Sequence, residues 1–137
     1  PYSILFRGCS FLIVYEAGVL SAMQELSPDI LKCASRIYGS SSGSIIGTAG
    51  LCECDIGKGC AFLFILSLKR LNIWAFRSCR RLFKLIILKT LRNVLERCLP
   101  PNAHELVSGK LHIVLTRVHD WRAVTVSEFA SKEDLIQ

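Results

Sequence analysis

No stretch of this 137-residue chain is apolar for long enough to read as a membrane-spanning helix. The longest runs without a charge are Ile37–Cys52, 16 residues rich in Gly and Ser, and Gly59–Leu68, 10 residues. A span takes roughly 18 apolar residues. Nothing recurs at the spacing of a solenoid repeat. Glycine and proline are modest, 9 and 4, and follow no period, which excludes collagen-like and low-complexity classes. No C-x-x-C occurs. The seven cysteines, Cys9, Cys33, Cys52, Cys54, Cys60, Cys79 and Cys98, are odd in number, and the closest pair, Cys52 and Cys54, has no histidine near it. A zinc site is therefore not expected, and free thiols in a reducing, cytoplasmic compartment are. What the chain does have is apolar matter, 51% of its residues, enough for a core and too much for disorder.

Its ends carry expectations of their own. The first residue is Pro1, with no basic leader and apolar segment behind it. Ser131-Lys132-Glu133-Asp134 looks like a helix N-cap with an acid three residues on, yet the chain ends at Gln137, one turn later. The chain is expected to be a piece of a longer protein.

The charge is unevenly placed. Residues 1–60 hold four basic and five acidic side chains, residues 61–99 nine and one, residues 100–137 four and five. The cationic excess falls on Lys69, Arg70, Arg77, Arg80, Arg81, Lys84, Lys89, Arg92 and Arg97. From Arg81 to Leu99 the spacing predicts an amphipathic helix. Leu82, Leu85, Ile86, Leu88, Leu95 and Leu99 lie on one side, and Arg81, Lys84, Lys89, Arg92 and Asn93 on the other. Such a face is either solvated or docks on an anionic surface such as phospholipid head groups. Nucleic acid is not expected, because no base-stacking aromatics alternate with the basic residues.

Along the chain, Tyr2–Phe6 reads as a strand leading into a loop at Arg7–Ser10, and Phe11–Leu26 as a helix. A short helix at 30–34 follows a Ser27 cap with Pro28 at its first position. Arg36–Tyr38 is strand-like and Ile45–Leu51 helical. Asp55 is expected to cap a helix running to Leu68. Pro100-Pro101 stops the basic helix, and Asn102–Val107 gives another turn or two. Leu111–Val118 and Ala123–Phe129 alternate around a turn at His119-Asp120, which predicts a hairpin. The order is that of a layered α/β domain.

The strongest local signal is Gly39-x-Ser41-x-Gly43 between a strand and a helix. Such a turn is sharp enough to need glycine on both sides, and it presents the serine oxygen at a helix N-terminus. Arg7-Gly8-Cys9-Ser10, after the first strand, is placed to supply oxyanion-hole N–H groups. Of the histidines, His104, His112 and His119, the clearest acidic neighbour is Asp120, next to His119, and adjacent turn residues make a poor relay. A Ser-His-Asp triad is not supported, and all three histidines read as structural or surface residues.

These residues resemble the patatin-like phospholipase domain, in its animal branch of adipose triglyceride lipase and adiponutrin. The similar blocks are Phe6–Gly18, Ile37–Ser44, Leu99-Pro100 with His104, Ser108–Leu111, Leu115–Val118 with Asp120, and Ser127–Ile136. They keep one order over nearly the whole chain. The resemblance implies a three-layer α/β/α fold, incomplete at its C-terminus, with residues 1–137 as the N-terminal part of a single domain. It implies a lipid acyl hydrolase with a Ser–Asp dyad, in which Ser41 is the nucleophile, Gly39 and Gly43 shape the elbow, and Gly8, Cys9 and Ser10 form the oxyanion loop. It implies neither metal nor cofactor. Acylglycerol or phospholipid would be the substrate, and a protein co-activator is a further expected partner. The location would be peripheral on lipid droplets or membranes, reached through the basic helix 81–99.

Three features depart from the family pattern. Its aspartate stands in Asp-Gly-Gly or Asp-Gly-Ala, whereas Asp29, Asp55, Asp120 and Asp134 are not followed by glycine. That motif would lie past Gln137, so the chain alone would be inactive. Its loop reads Gly-x-Gly-x-x-Gly, and Ser10 and Ile13 replace the second and third glycines here. The turn His119-Asp120-Trp121-Arg122 also lacks the usual glycine. The alternatives are an impaired paralogue that binds lipid without hydrolysing it, and a lipid transacylase.

Overall fold

The computed structural model describes residues 1–8, 12–54 and 80–137, the side chains of 80–87 excepted. Cys9, Ser10, the Asp55 cap with its helix to Leu68, and the cationic side chains from Lys69 to Lys84 lie outside the described residues.

Four strands form one mixed sheet in the order β1 (Ser3–Phe6), β2 (Arg36–Gly39), β3 (Leu111–Thr116) and β4 (Ala123–Val126). The first three run parallel, with Phe6 opposite Gly39 and Gly39 opposite Ile113; β4 returns antiparallel to β3 as the expected hairpin. The helices are α1 (Ile13–Leu26), α2 (Asp29–Cys33), α3 (Ser42–Leu51), α4 (Arg80–Cys98), α5 (Ala103–Val107) and α6 (Lys132–Ile136). This is the α/β architecture that the element order predicts.

Period-2 alternation decides which face is covered. Ile37 and Leu111 stand in register on one face and are fully buried. Helix α3 lies over them, with Gly47 close against Phe6, Ile37 and Leu111. Ala17 and Leu20 of α1, Leu31 of α2 and Ile46 and Ala49 of α3 complete this core, which Val107 and Phe129 extend. On the opposite face Leu5, Tyr38 and His112 stand in register; the Tyr38 and His112 rings stack at 5.0 Å, and Leu5 is exposed.

Several local expectations need correction. Helix α3 begins at Ser42, three residues before the expected Ile45, because packing on the sheet outweighs the poor helix propensity of Ser-Gly-Ser. Ser27 does not cap α2 through its side chain. Pro28 occupies the cap position, and the Ser27 carbonyl accepts the Ile30 N–H at 3.1 Å. In α4, Lys89, Arg92 and Asn93 are exposed and Val94 and Leu99 buried, as amphipathicity requires. Leu88, assigned above to the apolar side, is 61% exposed. It stands one turn from Arg92 on the same face, and Arg92 is paired with Glu96 at 3.0 Å.

Helix α6 starts as expected: the Ser131 hydroxyl accepts the Asp134 N–H, and Asp134 accepts the Ala130 N–H. Lys132 ties this helix to α4 by donating to the Glu96 and Leu99 carbonyls. Cys33, Cys52 and Cys54 are free thiols. A hydrogen bond from Cys52 brings the Cys54 thiol down to about 7 and raises that of Cys52. Among the described residues no helix is long and apolar enough to cross a membrane, and no cluster of His, Cys, Asp and Glu fits a metal.

Candidate active site

Parallel strands place the loops after β1 and β2 side by side at one edge of the sheet. Phe6 and Gly39 are partners in the ladder, so Gly8 and Ser41, each two residues on, become neighbours. Ser41 bridges β2 and α3 with φ 53 and ψ −123, a backbone conformation that non-glycine residues avoid. The turn is tied down on both sides. The Ser40 N–H donates to the Phe6 carbonyl at 3.3 Å, Gly43 N–H to the Ser40 carbonyl at 3.0 Å, and Ser44 N–H to the Ser41 carbonyl at 3.0 Å. The Ser44 hydroxyl donates to that same Ser41 carbonyl. Ser41 is exposed, while Ser42 and Gly43 behind it are buried.

Each glycine has an identifiable neighbour that excludes a side chain. A methyl on Gly39 would stand 2.5 Å from the Ser44 Cα and 2.9 Å from the Gly43 carbonyl oxygen. On Gly43 it would run into the Phe6 carbonyl. On Gly8 it would lie 2.9 Å from the Ser40 carbonyl oxygen and 3.0 Å from the Ser41 Cβ. The first strand, the first loop and the elbow therefore interlock, and Gly8 is the contact between the two expected halves of the site. Cys9 and Ser10 lie outside the described residues.

Ile13, where the family pattern has glycine, is the first residue of α1 and packs on the core. A helical position does not need the conformational freedom of glycine.

Among the described residues, no acid or histidine hydrogen-bonds the Ser41 hydroxyl. Asp120 is held by Arg117, and Asp134 by the backbone at Ala130. His112 stacks on Tyr38, and His104 lies 3.9 Å from Glu105. His119 is exposed. One group escaped the sequence reading. Glu16, in the first turn of α1, has a buried carboxylate oxygen with no partner among the described residues. Its place as a polar residue within an apolar helical stretch was the available signal.

An open groove of about 590 Å³ lies among α1, α2 and the end of α3, lined in part by Gln24, Lys32, Glu53 and Lys110. It is a full helix length from Ser41, about 15 Å for ten residues. The Lys32–Glu53 pair, 3.0 Å, lies across it. Its position separates it from the elbow chemistry.

The family model for patatin-like phospholipase matches residues 4–137. The omega-hydroxyceramide transacylase of Homo sapiens is 34% identical over 140 residues, covering 100% of this chain and 25% of that protein. The patatin-like phospholipase domain-containing protein 2 of Mus musculus is 38% identical over 136 residues, 99% of this chain and 27% of that protein. The 1-acylglycerol-3-phosphate O-acyltransferase Pnpla3 of Mus musculus is 35% identical over 136 residues, 98% of this chain and 32% of that protein. The chain thus spans about a quarter to a third of the length of these curated relatives. No solved structure matches it. A match to the family model across nearly all of its length places this chain in the patatin-like phospholipase family.

Proposed function

We infer that this chain is the N-terminal, nucleophile-bearing part of a single patatin-like domain that hydrolyses acyl esters of lipids, acylglycerols or phospholipids. The observation that carries this reading is the Ser41 backbone, φ 53 and ψ −123, at the head of α3 and against Gly8. The Ser41 oxygen attacks the ester carbonyl carbon, and its proton passes to a base. The tetrahedral oxyanion is met by backbone N–H groups of the loop beginning at Gly8, and the N-terminal end of the α3 dipole favours its charge. Its collapse expels the lipid alcohol and leaves an acyl-enzyme, which water then cleaves. The base is an aspartate of an Asp-Gly-Gly or Asp-Gly-Ala motif, supplied from outside these 137 residues.

The protein works at a lipid droplet or membrane surface from the cytoplasmic side, where the exposed Lys89 and Arg92 of α4 favour anionic head groups, with or without a co-activator. In the full-length protein, Ser41→Ala should lower ester hydrolysis by about a thousand-fold or more with an unchanged circular dichroism spectrum. Activity near that of the parent protein removes Ser41 as the nucleophile.

A second reading, acyl transfer to a lipid alcohol, is favoured by relatives named as a transacylase and an acyltransferase at 34% and 35% identity. Adding an acceptor alcohol separates the two: transfer yields a new ester at the expense of free fatty acid. The impaired-paralogue reading draws on Ser10 and Ile13, on the absence of an Asp-Gly pair from these 137 residues and on the hairpin turn without glycine. Ser10→Gly should raise turnover if the serine narrows the oxyanion loop. An unchanged rate removes that explanation.

A further inference from the structure

The β3–β4 hairpin departs from the same sheet edge as Gly8 and Ser41, because β3 runs parallel to β1 and β2. It also rises above them. β2 ends at Gly39, opposite Ile113, whereas β3 continues through Thr116, about 10 Å further at the usual rise per residue. The turn beyond, Arg117–Arg122, projects from the same end of the sheet as Ser41.

The composition of that tip is unusual for a solvated turn. Val118 is 78% and Trp121 79% exposed, and Leu115 just below them is 50% exposed. Arg122 follows Trp121 in the chain, and its side chain is 80% exposed. Trp121 adopts φ 58, a conformation natural to glycine and strained for a bulky residue. The Trp121 N–H donates to the Arg117 carbonyl and the Arg117 N–H to that of Arg122, closing the turn. Both Arg117 and the Arg122 N–H are bound by Asp120. Strain and a local clamp together hold a large apolar side chain outward.

We propose that this hairpin tip is an interfacial anchor for a lipid surface bearing anionic head groups, seating the Ser41 edge of the sheet on its substrate. Tryptophan is the side chain best suited to the boundary between head groups and acyl chains. The valine adds apolar contact below it, and the exposed Arg122 guanidinium, 3.9 Å from the Asp120 carboxylate on one side, adds charge complementarity to anionic lipid. The proposal rests on the reading of Ser41 as the centre of a lipid-acting site, which makes a lipid surface the occupant expected at this rim.

The test uses the full-length protein and vesicles of phosphatidylcholine with and without phosphatidylserine. Trp121→Gly is the decisive variant, since glycine suits φ 58 and the fold is kept. Vesicle binding should fall about tenfold or more, through loss of part of the indole's buried area. Arg122→Gln should weaken binding about five-fold only where phosphatidylserine is present. Hydrolysis of a soluble short-chain ester should be unchanged in both. Parental vesicle binding by Trp121→Gly overturns the anchor, as does tip labelling by a protein cross-linker with no change in vesicle binding. Absence of Ser41-dependent hydrolysis of the soluble ester alongside Trp121-dependent vesicle binding overturns the reading of the site and keeps the anchor.

Discussion

Three non-glycine residues among those described have positive φ, namely Ser41, Glu53 and Trp121. Glu53 follows the C-terminus of α3, where a left-handed residue commonly ends a helix. The other two coincide with the candidate nucleophile and the hairpin tip. Such a conformation costs a bulky residue about 1 kcal/mol or more. Trp121→Gly should therefore raise stability by about 1 kcal/mol in thermal unfolding while vesicle binding falls, and a loss of stability would mean that the indole packs on something. Gly8→Ala should disturb positioning and folding together. Its methyl would stand 2.9 Å from the Ser40 carbonyl oxygen and 3.0 Å from the Ser41 Cβ, so turnover should fall by about a hundred-fold and the melting temperature should also drop. Gly43→Ala drives a methyl into the Phe6 carbonyl and should cost about 3 kcal/mol or prevent folding. The spacing Gly39-x-Ser41-x-Gly43 was legible as a tight turn. That the obstruction at Gly43 comes from Phe6, a strand away, was not, because local sequence carries no information about which backbone will pass nearby.

At the scale of elements, the hairpin is the segment whose stability should respond to pH. Hydrogen bonding to Arg117 holds the Asp120 carboxyl below its ordinary value. A carboxyl lowered in the folded state contributes stability that is complete above its unfolded pKa, about 4, and is lost as the pH falls through the lowered folded value. Amide protection in Arg117–Arg122, taken as the intrinsic over the observed exchange rate, should be higher at neutral pH and fall below about pH 4; Asp120→Asn should show the lower protection throughout. Arg117 keeps its charge over this range, so the sign depends on Asp120 alone. The hairpin itself was readable from alternation and β-branching. The first turn of α3 was not, because Ser42-Gly43-Ser44 has poor helix propensity and is held helical by its seat on the sheet.

At the scale of the whole molecule, the parallel arrangement of β1, β2 and β3 gathers the Gly8 loop, the Ser41 elbow and the hairpin tip on one rim. The exposed part of the cationic helix is smaller than its composition suggests. Glu96 engages Arg92, and Leu88 shares that face. Exposed ion pairs of this kind contribute little to stability and remove charge from a docking face.

By itself the sequence determined the α/β class, the strand-turn-helix around Ser41, the hairpin and the Ser131 cap. Each is written in periodicity, turn residues or a motif a few residues long, and short-range sterics and hydrogen bonding suffice to produce it. Only the tertiary structure decided that Gly8 meets Ser41, that Ile13 begins a helix and packs on the core, and that β3 carries the turn holding Trp121 past the end of β2. These follow from strand order and register, which depend on contacts between residues dozens of positions apart.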